Sequence, residues 1–271
     1  YLYQNKFSQA ASTFDQVISE GVYSLVSNYE EMFTAANENN LETVFDIQYS
    51  GLEGGGYGCL ICLEGNAAPG FHGIRQYNGP VYGDGNSYNL PTQALYDAFS
   101  SVDPRRDATI LDIESFIATQ QNPGDISYAI GAGGHSGFYN NKYIKRIGEI
   151  GLPDNDLTSP VNYRVIRYSD VLLMAAEAHY QNGNTGLAQQ LVNQVRTRVG
   201  IQGISLSSVN DIYTERRYEL SGEGHRFFDL VRTGQASSFI PGFQTGKHEL
   251  FPIPQAEIDL TGGNWAQNPG Y

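Results

Sequence analysis

Long apolar runs, basic clusters and cysteine are all scarce in this chain, and each scarcity excludes something. No segment approaches the roughly 18 consecutive apolar residues that a transmembrane helix needs. Lys and Arg total 16 against 29 Asp and Glu, a formal net charge of −13, and no Lys/Arg cluster stands out. Nucleic acid is therefore not an expected partner, because binding it takes a basic face that displaces counterions. The first residues carry no signal-peptide pattern. Only two cysteines occur, Cys59 and Cys62, as C-L-I-C. A metal site would need more ligands, and only His72 is near in sequence. A thioredoxin-like motif would need a βαβ pattern, which is absent. On a strand the odd spacing would turn the two side chains to opposite faces. The expectation is two buried thiols, or a local disulfide in an oxidising compartment.

The chain is rich in glycine (31) and tyrosine (19), and 40% of it is hydrophobic, enough for a real core. Tyrosine offers a flat apolar ring with one polar tip, suited to partly wet polar ligands such as sugars, although most of the 19 are expected to fill the edges of a loop-rich core.

The stretch Tyr163 to Gly200 organises the rest. From about Ser169 to Asn182, Leu172, Ala175, Ala176 and His179 fall at helical spacing. Val171, Met174 and Ala178 do the same, which predicts a helix buried on most sides. Gly183 fits a left-handed stop, and Asn184 or Thr185 can cap a second helix carrying Ala188, Leu191, Val192, Val195 and Val199 on one stripe. Arg196 and Arg198 sit in its last turn and Gly200 ends it. The alanines allow close helix approach, and the order of Leu, Ala, Glu177, Ala, Tyr180, Gly183 and Ala188 resembles a tetratricopeptide repeat. The opening residues repeat this pattern. Tyr3-Gln4-Asn5 matches Tyr180-Gln181-Asn182, and Ala11, Phe14 and Ile18 match Ala188, Leu191 and Val195. A helix is expected from about Ser8 to Ser19. On this alignment the chain begins inside a repeat, and the expectation is the C-terminal part of a longer protein.

Between the two copies the character changes. A short helical turn is read at Asn28 to Phe33 and a strand at Leu41 to Tyr49. Residues 50 to 90 are dense in glycine and threaded with aromatic and polar side chains, a long excursion of the kind that carries function. A helix is expected from Thr92 to Phe99, a loosely alternating strand over Thr109 to Ala118, a second glycine-rich loop over Gln120 to Asn140, and a short strand over Tyr143 to Ile147. After the central hairpin come a helix over Ser207 to Gly222, an extended proline-fixed segment at Leu250 to Pro254 and a helical turn at Gln255 to Leu260.

The strings RYSDVLLMAAEA, TERRYELSGEGHRFFDLVRTG, LFPIPQAEI and QNPGY, in this order, resemble the C-terminal half of SusD/RagB-type proteins. NLPTQALYDAFSSVDPRRDAT resembles that family's middle region. The resemblance implies a mainly α fold of tetratricopeptide-like helical repeats with long loop and short-strand excursions. It implies one SusD-like domain over 1–271, with repeat helices at 1–35, the ligand-binding excursion at 41–150, and the hairpin and C-terminal core at 160–271. It further implies a cell-surface, outer-membrane lipoprotein, anchored by an N-terminal lipid outside this chain. Such a protein binds an oligosaccharide and delivers it to a SusC-type TonB-dependent transporter. It is not an enzyme and needs no cofactor or metal. Neither cysteine here is the lipidated one.

Sugar recognition combines stacking on aromatic rings with planar hydrogen bonds. Tyr57, Tyr77 and Tyr82 are the candidate platforms, and Arg75, Asn78 and Asp84 the polar partners. Trp265 is expected to pack against the core. Glu215 and Glu219, spaced i,i+4, share one helix face, whereas glycosidases set two carboxylates about 5–9 Å apart across a cleft. Flanked by Arg216 and Arg217, they read as ion-pairing groups. His225 reads as a hydrogen-bonded core histidine. Asp103, Asp107, Asp112 and Glu114 lack the calcium-loop spacing. Two alternatives remain: a helical scaffold whose ligand is a protein partner, and binding of peptide rather than glycan. Solvent-exposed, coplanar excursion rings would favour sugar, and buried ones the scaffold.

Overall fold

A computed structural model describes residues 1–52, 56–62, 64–130, 135–149 and 156–271. It divides into two compact units, Tyr1–Glu223 and Gly224–Tyr271. The fold is helix-rich, with tetratricopeptide-like repeats and short strands.

In the larger unit, α1 (Phe7–Ser19) is the amphipathic helix expected from the opening repeat. It is preceded by a 3-10 turn, Leu2–Gln4, and Leu2 closes on Ala10, Ala11 and Ala178. β1 (Thr43–Ile47) follows. The excursion holds α2 (Ala68–His72), β2 (Ile74–Arg75) and β3 (Asp84–Gly85). Then come α3 (Gln93–Tyr96), α4 (Arg105–Thr109), β4 (Ile110–Asp112), α5 (Ile113–Ala118) and β5 (Phe138–Asn140). β6 (Tyr163–Arg167) leads into the hairpin of α6 (Tyr168–Gln181) and α7 (Thr185–Arg198), and α8 (Val209–Glu219) completes the unit. Gly183 takes the left-handed φ of 79° that the turn between α6 and α7 requires. Ala175, Ala176 and Ala188 are fully buried, which lets α1, α7 and α8 close on α6. Ser208 and Asp211 form a reciprocal capping box at the start of α8.

Two strand expectations are corrected. Thr109 to Ala118 is a three-residue strand followed by a helix, because the Asp112 side chain accepts from Ser115 N at 3.1 Å and starts a helix there. Tyr143 to Ile147 is not a strand; the strand lies earlier, at β5, paired antiparallel with β4. β6, not among the strands expected above, pairs antiparallel with β1.

An ion network ties the repeats to the excursion. Arg105 contacts Asp103, Glu215 and Glu219 at 2.7, 2.6 and 3.1 Å. Arg167 reaches Glu42, Glu219 and Glu223 at 2.6, 3.1 and 2.7 Å. Arg198 joins Glu42 and Glu219, Arg196 joins Glu215, and Lys142 sits 2.6 Å from Glu223. The five carboxylates balance the five cations. Burial pushes the Glu219 carboxyl up, but Arg198, Arg167, Arg105 and Lys142 together hold it well below the ordinary carboxylate range. Burial pulls the Lys142 ammonium down to about 8 against the opposing pull of Glu223. Glu215 and Glu219 are thus inter-element ion-pair residues, their partners drawn mainly from distant segments rather than from Arg217.

In the smaller unit, α9 (Arg226–Arg232) and α10 (Ala236–Phe239) precede the extended segment Leu250 to Pro254 and α11 (Gln255–Leu260) follows it. The tail docks along that segment. Ile253 N donates to Gln267 Oε1 at 2.7 Å and Gln267 Nε2 donates to Ile253 O at 2.8 Å. Asn268 Nδ2 donates to Phe251 O at 2.6 Å and Tyr271 Oη to Leu250 O at 3.0 Å. Trp265 is 55% exposed rather than packed on a core, held at the chain turn by its N–H to Thr261 Oγ1. His225 is half-buried at the start of α9.

Candidate functional site

The excursion is stitched into a strip of four chain segments. Asn78 N donates to Ser127 O at 2.8 Å, Ser127 N returns to Asn78 O at 3.0 Å, and Ala129 N donates to Arg75 O at 2.9 Å. Ile74 and Arg75 pair in parallel with Asp84 and Gly85. On the far side Gly83 N donates to Lys145 O at 2.9 Å and Ile147 N to Val81 O at 2.8 Å. Ser127–Ala129, Ile74–Asn78, Val81–Gly85 and Lys145–Ile147 therefore lie side by side. Glycine makes this possible: a Cβ on Gly85 would sit 2.4 Å from Gly73 Cα.

Side chains along the strip divide by environment. Ile74, Tyr77 and Tyr82 are buried with Leu111, Ile113, Tyr139 and Ile144. Tyr77 and Tyr82 meet edge to face with centroids 6.2 Å apart, and Tyr82 meets Phe116 at 5.0 Å. Tyr77 Oη donates to Pro80 O at 2.8 Å. Burial, and the neighbouring Tyr82, push the Tyr77 hydroxyl up; burial also raises Tyr82, against Arg146. These two candidate platforms are, at 7% exposure each, interior rings of this structure with no open face. Arg75, Asn78 and Asp84 are exposed. Asp84 Oδ1 accepts from Gln76 N at 2.5 Å, which holds Gln76 in a left-handed conformation beside Arg75. The strip brings together all the predicted site residues except Tyr57.

Tyr57 is 62% exposed on a turn closed by Cys59 N donating to Gly56 O and by a disulfide between Cys59 and Cys62. Of the two expectations for the cysteines, buried thiols or a local disulfide, the structure shows the disulfide. The cysteines stand on a 3-10 turn, where residues i and i+3 share a side, rather than on a strand.

Two further residues of the excursion, outside the candidate set, are also exposed. Tyr88, 60% exposed, packs at a tilt against Phe71 with centroids 6.1 Å apart. Val81, 47% exposed, has φ of 72° at the centre of a three-residue turn closed by Tyr82 N donating to Pro80 O. Of the six described non-glycine residues with positive φ, four (Gln76, Val81, Ser87, Asn89) lie in this excursion, and such strain concentrates at functional sites. The glycine density located the region, but no sequence signal marks a valine for that conformation.

The acidic cluster has other employment. Asp103 binds Arg105, Asp107 binds Arg106, Asp112 caps α5, and Glu114 accepts from Tyr128 Oη. Among the described residues no group of three or more His, Cys, Asp and Glu is arranged to hold a metal ion.

The chain is similar in sequence to SusD-like protein P2 of Formosa agariphila, 27% identical over 302 residues, covering all of this chain and 57% of the relative. It superposes on a laminarin binding SusD-like protein with 37% identity and a TM-score of 0.89, over all of this chain and 60% of that one. Surface glycan-binding protein A from Bacteroides thetaiotaomicron, in complex with laminarihexaose, gives 28% identity and a TM-score of 0.89 over 98% of this chain and 61% of that one. The chain thus spans less than two thirds of the length of each of these relatives. With the SusD family model matching residues 37–240, and with the repeat hairpin and looped excursion in place, the chain belongs to the SusD family.

Proposed function

We propose that the chain is part of a cell-surface glycan-binding protein that takes up an oligosaccharide and passes it to a SusC-type TonB-dependent transporter. The observation that carries this reading is the strip. Arg75, Asn78 and Asp84 are held by backbone pairing on a rigid, ring-backed support, with Val81 as an apolar contact among them. Planar donors and acceptors beside a small apolar surface are what a sugar's hydroxyls and C–H face require. Tyr57 and Tyr88 are the exposed rings nearest in sequence, and we place the stacking role on them instead of Tyr77 and Tyr82. A relative described as laminarin binding and another in complex with laminarihexaose support a glucan as ligand. The exposed disulfide supports a location outside the reducing cytoplasm. Binding and not catalysis is the proposed activity, since Glu215 and Glu219 are enclosed by arginines instead of facing a cleft.

A second reading, a scaffold that contacts only a protein partner, is favoured by the burial of Tyr77 and Tyr82. Calorimetric titration with laminarihexaose separates the two. The glycan reading expects saturable binding that Arg75→Ala with Asp84→Ala weakens at unchanged melting temperature. Absence of binding to laminarihexaose and to a panel of other oligosaccharides would leave the scaffold.

A further inference from the structure

Where the excursion runs back into the helical core, the chain encloses a recess of about 190 Å³. One wall is the segment from Asn89 to Thr92 together with Leu95 of α3. Thr109 at the end of α4, Asn140 at the end of β5 and Gly222 after α8 form the other. The segment is fixed at both ends. Before it, Ser87 Oγ accepts the Arg75 N–H at 3.0 Å and Tyr88 N donates to Phe71 O at 2.8 Å. After it, Thr92 Oγ1 accepts from Leu95 N at 3.2 Å and starts α3.

Thr109 is 1% exposed, and its Oγ1 is, among the described residues, the one buried hydroxyl with no hydrogen-bond partner. Buried polar groups are otherwise paired, because an unpaired one keeps its full desolvation cost. Asn140 is buried as well. Its amide gives one N–H to Gly222 O at 2.9 Å and accepts from Lys142 N at 3.2 Å, which leaves one N–H and one lone pair to use. Leu90, Pro91 and Leu95 make the apolar part of the lining, and none of the lining residues is charged. An ion entering here would lose its water with no opposite charge in return. The volume equals that of about six waters and falls below the roughly 300 Å³ at which clefts for larger ligands begin. It suits one ring, not a chain of them.

We propose that this recess is a subsite for one neutral, hydroxyl-rich ring, a single sugar residue. The Thr109 hydroxyl and the spare Asn140 N–H and lone pair bond its hydroxyls, and Leu90, Pro91 and Leu95 meet its C–H face. The recess is separate from the strip but close to it in the chain. Ser87, which is bonded to Arg75, precedes Asn89 by two residues, at most about 7 Å of backbone. Exposed Tyr88 stands between them. As regards the class of ring, the inference rests on the glycan reading above.

The test uses two probes, methyl β-glucoside, which presents one ring, and laminarihexaose, and follows the amides of the full chain by nuclear magnetic resonance. The glucoside is expected to shift Asn89, Thr109 and Asn140. Thr109→Val keeps the shape and removes the hydroxyl. It should weaken glucoside binding about fivefold, the worth of one hydrogen bond, and raise the melting temperature of the ligand-free protein, since the unpaired buried hydroxyl is gone. Thr109→Ser, which keeps the hydroxyl, should bind the glucoside more tightly than Thr109→Val. Laminarihexaose that shifts Arg75 and Asp84 but leaves the recess untouched overturns the subsite and keeps the glycan reading, as does a Thr109→Val protein that binds the glucoside as tightly as the parent. Glucoside shifts in the recess, with laminarihexaose never reaching Arg75 or Asp84, keep the subsite and overturn the glycan reading at the strip. No shift with either probe overturns both.

Discussion

Arg105 Nη1 lies 2.6 Å from Glu215 Oε1 across 110 residues of sequence, with both side chains closed off from solvent. The contact joins α4, beside the excursion, to α8 of the helical core. Removing one member of a buried, hydrogen-bonded ion pair leaves an uncompensated charge, so Arg105→Met should cost about 3–5 kcal/mol in urea unfolding. The exposed Arg106–Asp107 pair serves as the control, where Asp107→Asn should cost less than about 1 kcal/mol.

Glu219 sets an acid limit on stability. Its folded carboxyl is held well below its unfolded value, so its stabilisation is present above the unfolded value and is lost as pH falls through the folded one. Melting temperature should therefore fall steeply below about pH 4.5, and Glu219→Gln should flatten that fall while lowering stability at pH 7.

Asp46 acts in the opposite sense. Burial, opposed by Arg164 with its Nε 3.9 Å away, pushes its carboxyl up to about 6, and neither carboxylate oxygen has a hydrogen-bond partner. At a pH below both values the proton is bound in folded and unfolded chains alike. Between about 4 and 6 the unfolded chain releases it first and stability falls, then levels off above. Asp46→Asn should erase this fall, a gain of about 1–3 kcal/mol at pH 8 relative to pH 4.

The two rings inside the strip separate support from contact. Tyr82→Ala should cost about 3–5 kcal/mol by opening a cavity against Phe116 and Tyr77. Val81→Gly should gain about 1 kcal/mol, since glycine takes the positive φ without strain and little buried surface is lost. Thermal melts of both variants decide the matter. A Val81→Gly variant less stable than the parent would show that the turn is not strained.

The disulfide staples only a short turn, so its loss should be felt locally. Cys59→Ser with Cys62→Ser should lower stability by at most about 2 kcal/mol, while hydrogen exchange at Tyr57 and Gly58 should rise.

The helical parts were legible because their period is dictated by burial. The stripe Ala188, Leu191, Val192 and Val195 has one way to be covered, and the alanines around Glu177 announce close packing. The excursion was legible as a region, through its glycines and tyrosines, but not in its detail. Which tyrosines turn inward depends on pairing between segments about fifty residues apart, as Asn78 with Ser127, and no local pattern encodes that. Tyr77 and Tyr82 went inward for this reason. The short strand at Ile110 and the helix after it were blurred together because Asp112 ends one and caps the other.

The balanced ion network has an outward consequence. It takes five cations from sixteen and five carboxylates from twenty-nine, so the whole excess of thirteen negative charges is carried by the residues left outside it. The buried network is thus silent at long range, and the field of this chain within a Debye length of its surface, about 8 Å at physiological salt, is set by those remaining residues.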